Sequence, residues 1–139
     1  MPSNYQLRCL DEQSWPLLNK FYKSHHASLR ANKKTQAWVL TTNQQWLAAL
    51  NLAPCSAGAF LGGVFVPPAL RSQGLAKELI KRVHAQTEQT LWLFCAPELS
   101  HLYGDCGFSR CQDLPADLKE RLQRYQRHKS LIAMHWQMT

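Results

Sequence analysis

Apolar and polar positions in this chain follow two different periods, and each change of period marks a new element. Tyr5 to Leu10 alternates weakly and predicts a first strand. Trp15, Leu18, Phe21 and Tyr22 then recur at helical spacing behind Asp11 or Ser14, either of which can cap a helix. Trp38–Thr41 and Trp46–Leu52 read as two strands, with Thr42-Asn43-Gln44 as a hairpin turn. A second turn, Ala53 to Gly58, leads into the strand Ala59–Val66, which Pro67-Pro68 ends because proline cannot donate to a ladder. Leu75, Ala76, Leu79, Ile80 and Val83 predict a helix over Leu75–Gln86, with Glu78 and Arg82 paired along its surface. Leu91–Cys95 is a continuous apolar run, as expected of a central strand buried on both faces. Strand, helix and strand within about 35 residues predict a right-handed parallel crossover.

The second half continues in the same way. Ala96-Pro97-Glu98 opens a helix with Leu99, Leu102, Tyr103 and Cys106 on one face. Gly107 can close it as a left-handed cap, with Phe108 packing back. Phe108–Cys111 is a short strand. Asp113-Leu114-Pro115 opens an amphipathic helix with Leu118, Leu122 and Tyr125 inward and Lys119, Arg121, Arg124, Arg127 and Lys129 outward. Leu131–Trp136 is the closing strand. No repeat, low-complexity tract or linker interrupts the pattern, so residues 1–139 read as one domain of mixed α/β class.

Composition narrows the picture. At 139 residues, 45% apolar and 18% charged, the chain suits one globular core and not a disordered segment. No apolar run approaches the ~20 residues that span a bilayer. The N-terminus carries no signal-peptide core, so a cytoplasmic location and no membrane partner are expected. The cysteines, Cys9, Cys55, Cys95, Cys106 and Cys111, are odd in number and form no Cys-x-x-Cys pair. They read as small buried hydrophobes; Cys106, Cys111 and His101 fit no standard zinc spacing, and no metal is expected. The formal net charge of +7 calls for an anionic partner.

The candidate chemistry lies at the turn Arg71-Ser72-Gln73-Gly74-Leu75-Ala76, between a strand and a helix. The first amides of a helix have no internal partner, and the helix dipole adds partial positive charge there. Gly74 lets the backbone approach an anion, Ala76 keeps the next position small, and Arg71 adds a forked cation. An ordinary strand-to-helix turn with a surface arginine is the plain alternative.

The whole string, Val66-Pro67-Pro68-Ala69-Leu70-Arg71-Ser72-Gln73-Gly74-Leu75-Ala76, resembles the pyrophosphate loop of the GNAT superfamily of acetyl-CoA-dependent N-acetyltransferases. Downstream, Tyr103-Gly104-Asp105-Cys106-Gly107-Phe108 resembles the same family's Tyr-x-x-x-Gly-Phe. The resemblance implies a mixed, mostly antiparallel twisted sheet of about seven strands flanked by helices, built round a β-loop-α-β core that binds acetyl-CoA. It implies cofactor contacts at Phe65, Val66, Arg71, Ser72, Gln73, Gly74, Leu75 and Ala76. It also implies a bulge at Gly62-Gly63, where the strand backbone pairs with the pantetheine arm; glycine inside a strand suggests the same, or a packing need. The helix after Pro115 is longer than the family's usual link between its last two strands.

On that resemblance the chain is expected to move an acetyl group to an acceptor amine, of a small molecule or a protein, by direct attack on the thioester. Tyr103 is the candidate general acid for the departing thiolate, since a phenol is still protonated at neutral pH. A core tyrosine is its plain alternative. A backbone N–H at Phe65–Val66 would serve the developing oxyanion. Glu98, His101 and His25 are candidate bases, equalled by a chain of water. His25-His26 lie in the polar stretch Phe21–Gln36, which the family places over the acceptor. Cys95, in an apolar strand, is expected to be inert. Two other readings share these residues: a catalytically inactive acetyl-CoA sensor, and a basic nucleic-acid-binding module resting on the charge and on the face from Lys119 to Lys129. No recognised nucleic-acid motif accompanies that face. A homodimer through sheet edges stays open.

Overall fold

The structure, a computed structural model, describes residues 4–24, 35–43 and 45–138, apart from the side chain of Glu12. His25 and His26 lie outside the described residues. The strands are β1 (Gln6–Leu10), β2 (Gln36–Thr42), β3 (Gln45–Cys55), β4 (Gly58–Phe65), β5 (Leu91–Cys95), β6 (Ser109–Arg110) and β7 (Ile132–Trp136). The helices are α1 (Trp15–Ser24), α2 (Leu75–Thr87), α3 (Ser100–Cys106) and α4 (Ala116–Tyr125). The strands form one sheet in the order β1-β2-β3-β4-β5-β7-β6. β4 and β5 run parallel, and every other neighbouring pair is antiparallel.

Alternation along the strands sorts side chains onto two faces. On one face Leu50, Leu52, Leu61, Leu93, Cys95 and Met134 pack with Leu75, Leu79, Ile80 and Val83 of α2. On the other, Val39, Ala49 and Phe65 pack with Leu18 and Tyr22 of α1. Each of these large side chains, fully buried, contributes roughly 1.5–3 kcal/mol. Asp11 caps the entry to α1: the Ser14 amide donates to its Oδ1 at 3.0 Å, through a 3-10 turn at Glu12–Ser14.

Several boundaries differ from the pattern reading. β3 runs on to Cys55, pairing Pro54 with Ala59, so the expected six-residue turn is a two-residue hairpin at Ser56-Ala57. Asp117 of α4 holds that hairpin, accepting from the Ser56 hydroxyl at 2.7 Å and the Ser56 amide at 3.2 Å. These bonds pull the exposed Asp117 carboxyl below its ordinary range. A 3-10 turn at Pro97–Leu99 precedes α3, and Leu99 and Leu102, expected to pack inward, are exposed. In α4 only Leu118 is fully buried; Tyr125 is exposed and Arg121, expected outside, is half-buried. Its guanidinium lies 5.1 Å from the centroid of the Phe60 ring, since a planar, weakly hydrated cation can stack on an aromatic face while its edge stays in water.

The bulge at the glycine pair is present. Ala49 pairs with Phe65 and Asn51 with Gly62, so two steps on β3 match three on β4. Gly63 takes φ 61° there. The extra residue reverses the alternation, which is why Leu61 belongs to the α2 core and Phe65 to the α1 core. Pairing of β4 with β5 stops after Ala59–Leu91 and Phe60–Trp92, and the two strands part beyond it.

Candidate active site

The wedge between the parting strands is where the sequence-predicted residues meet. A cavity of about 620 Å³ borders the end of β4 through Val64, Phe65 and Val66. The loop and the start of α2 bound it through Arg71, Ser72, Gly74, Leu75, Ala76 and Lys77. From the 3-10 turn and α3 come Leu99, Leu102, Tyr103 and Asp105. The exposure of Leu99 and Leu102 is thereby explained: they border an open cleft. Gln73 is exposed and does not border it, although both of its neighbours do.

The loop's backbone is the centre of this site. No backbone carbonyl among the described residues accepts from the amides of Ser72 to Lys77; the first bond of the helix is Glu78 N–H to Gly74 O at 3.0 Å. Gly74 stands at φ 77°, a conformation that costs other residues, and a Cβ built on it would meet nothing within 4 Å. Ser72 also has a positive φ of 67°. A run of unpartnered amides beside open space, at the N-terminus of a 13-residue helix, fits the phosphates of a nucleotide. Arg71 folds back: its Nε donates to the Val66 carbonyl at 2.8 Å and its Cζ lies 5.9 Å from the Phe65 ring centroid. The loop is thus tied to the strand that enters it, at the border of the cavity. Lys77 borders the cavity, whereas Lys81 is exposed.

Tyr103 is held from below by its own helix end. Its carbonyl accepts from Gly107 at 3.3 Å and Phe108 at 3.1 Å, the closing motif expected of Gly107. The Phe108 ring stands edge-on to it at 6.1 Å. Burial, then the neighbouring Cys95 and Cys106 thiols, push the Tyr103 hydroxyl above its ordinary pKa. Glu98 and His101 are exposed and border neither this cavity nor the one described next. Cys95 is buried with its Sγ 3.8 Å from Met134 Sδ, and burial pushes its thiol up. Cys106 donates to Leu102 O and Cys111 to Asp113 O.

A second cavity, of about 360 Å³, lies on the α4 side of the wedge. Phe60, Leu61 and Gly62 of β4 form one wall and Phe94 of β5 another; Tyr125, His128 and Lys129 close it from α4 and the turn behind it. The two cavities flank the bulge, one on residues 60–62 of β4 and the other on 64–66. Asn51 stands opposite Gly62, and its Oδ1 is buried with no partner among the described residues. The pattern reading passed over Asn51, yet one amide in the apolar run Leu47-Ala-Ala-Leu-Asn-Leu52 was a visible signal.

Comparison with known proteins agrees with this geometry. Residues 9–128 match the family described as Acetyltransferase (GNAT) domain. The sequence search against curated proteins returned no match. Among solved structures, N-acetylglutamate synthase from Neisseria gonorrhoeae, complexed with coenzyme A and N-acetylglutamate, superposes with a TM-score of 0.72 at 9% identity, covering 100% of this chain and 36% of that one. This chain therefore spans about a third of that enzyme. The ribosomal-protein-S18-alanine N-acetyltransferase of Escherichia coli superposes at 0.65 with 17% identity, over 97% of this chain and 94% of that one. A Bacillus subtilis acetyltransferase in complex with CoA gives 0.66 at 12% identity, over 98% and 100%.

Proposed function

This chain belongs to the GNAT acetyltransferase family, and from that premise we propose that it is an N-acetyltransferase that passes an acetyl group from acetyl-CoA directly to an acceptor amine. The observation that carries the reading is the run of unpartnered amides from Ser72 to Lys77 beside a cavity that Tyr103 also borders. Acetyl-CoA supplies an activated thioester carbonyl, which an amine can attack without a covalent enzyme intermediate.

The residues divide the work. The amides of the loop, with Arg71, bind the diphosphate. The edge of β4 left unpaired past Phe60 takes the amide-bearing arm of the cofactor. Together they fix the thioester beside the amine, and such positioning is worth on the order of 7–11 kcal/mol. A backbone N–H at Phe65–Val66 donates to the carbonyl oxygen as charge grows on it, worth roughly 2.7–4 kcal/mol for one such donor. Tyr103 gives its proton to the departing thiolate and regains one from the nitrogen that has attacked, directly or through water; a hydroxyl raised by burial keeps its proton through the neutral range. Direct transfer is supported by Cys95, whose thiol is buried against Met134 and pushed toward its neutral form.

The test is release of free coenzyme A thiol on mixing the protein with acetyl-CoA and a panel of amines, with a blank for its own five cysteines. Amine-dependent release supports the transferase. Tight acetyl-CoA binding with no release for any amine would leave a binding domain in its place.

A further inference from the structure

The second cavity carries an inference about the acceptor, and it rests on the acyltransfer reading above. Its walls are aromatic. Phe60 and Phe94 meet edge to face at 4.7 Å, and Phe94 meets Tyr125 at 6.1 Å and 83°. A volume of about 360 Å³ suits a single flat ring with a short arm. Its charge is one-sided: Lys129 and His128 border it, Arg121 lies over Phe60, and among the described residues no aspartate or glutamate borders it. Its inner end lies on Phe60, Leu61 and Gly62 of β4, next to the bulge where β4 and β5 part.

These two features orient a ligand. A flat apolar body belongs between the aromatics; a negative group belongs at the exposed, basic rim of His128 and Lys129, which leaves the amine for the end beside the wedge. We propose that this cavity is the acceptor pocket and that its substrate is a small primary amine on an aromatic or flat apolar body that carries a carboxylate or similar anion at its far end. The neutral amine turns its lone pair to the wedge. The anion pairs with Lys129. A polyamine meets like charge at that end and is rejected.

A matched trio tests this: 4-(2-aminoethyl)benzoate, phenethylamine and 4-(2-aminoethyl)benzylamine, each titrated calorimetrically into protein saturated with coenzyme A and each assayed for acetylation with acetyl-CoA. The benzoate is expected to bind roughly tenfold tighter than the neutral amine, the benzylamine weakest. Lys129→Glu is expected to reverse the order of benzoate and benzylamine with coenzyme A affinity unchanged. Equal affinities, a preference for the dication, an order unmoved by Lys129→Glu, or displacement of the benzoate by coenzyme A would each overturn the pocket assignment. The two readings fail separately. If acetyl-CoA is consumed with no preference within the trio, the pocket falls and the transferase stands. If the benzoate binds as described but no acetyl group moves, the transferase falls and the cavity remains a binding site for such amines without being an acceptor pocket.

Discussion

Arg71 donates from its Nε to the carbonyl oxygen of Val66 across 2.8 Å, so the loop that follows β4 is fastened to the strand it leaves. The side chain therefore does two things at once. It fixes the curve of the backbone whose amides are unpartnered, and it brings a cation to the rim of the same cavity.

Replacing Arg71 with alanine removes both. The dissociation constant for coenzyme A is expected to rise about tenfold to a hundredfold, the worth of one charge-assisted contact. Global stability should fall by only about 1 kcal/mol, since the arginine is exposed. Calorimetry with coenzyme A and a denaturant titration, run on the same preparation, separate the two effects. Lysine at 71 should recover little, because it cannot fork between the carbonyl and a phosphate.

Tyr103→Phe is expected to lower kcat by about 10²–10⁴ and leave acetyl-CoA affinity nearly unchanged, as loss of an acid would. Burial and the adjacent Cys95 and Cys106 raise the hydroxyl above its ordinary value of 10.0, so the protonated form persists to higher pH. The fall in kcat assigned to Tyr103 should thus appear only above pH 10.0. A pH profile of the wild type and the variant checks this: the variant should lack that alkaline limb. A large loss of acetyl-CoA binding instead would make Tyr103 a packing residue.

Gly107→Ala should destabilise the fold severely. Gly107 sits at φ 134°, and a Cβ there would lie 2.6 Å from Cε2 of Trp136. Trp136 cannot retreat easily: its ring stacks on His84 at 3.7 Å and stands 5.7 Å from Phe108. A loss of about 2–4 kcal/mol is expected, read from the midpoint of urea unfolding.

Asp117→Asn should weaken the tie between α4 and the β3–β4 hairpin in a pH-dependent way. The Ser56 bonds lower the carboxyl below 3.8, so its contribution is present above that value and is lost as pH falls through the folded-state pKa. The stability difference between wild type and Asp117→Asn should be seen at pH 7 and vanish in acid. Thermal unfolding across that range measures it.

Much of this was legible in the sequence, and the misses share a cause. Local pattern located β4, the loop, α2 and β5, because each is written in consecutive residues: an apolar run, two prolines, a small-residue turn and a helical repeat. The Gly62-Gly63 bulge was legible for the same reason. What the pattern did not show depends on residues distant in the chain. Leu99 and Leu102 carry helical spacing but face a cleft that only the parting of β4 from β5 opens. Arg121 is polar by type, yet Phe60, sixty-one positions earlier, gives its guanidinium a face to lie on. The side proposed for the acceptor is made of such contacts, whereas the side proposed for the cofactor is made of a motif.

The most direct test is a calorimetric titration of coenzyme A into the folded wild-type protein and into Gly74→Val. The wild type should bind with measurable heat. The variant should remain folded and bind at least about tenfold more weakly, because its side chain is strained at φ 77° and fills the open space beside the unpartnered amides. Absence of heat with the folded wild type, or equal affinity in the variant, would contradict the assignment of the Ser72–Lys77 backbone as the seat of the cofactor's phosphates.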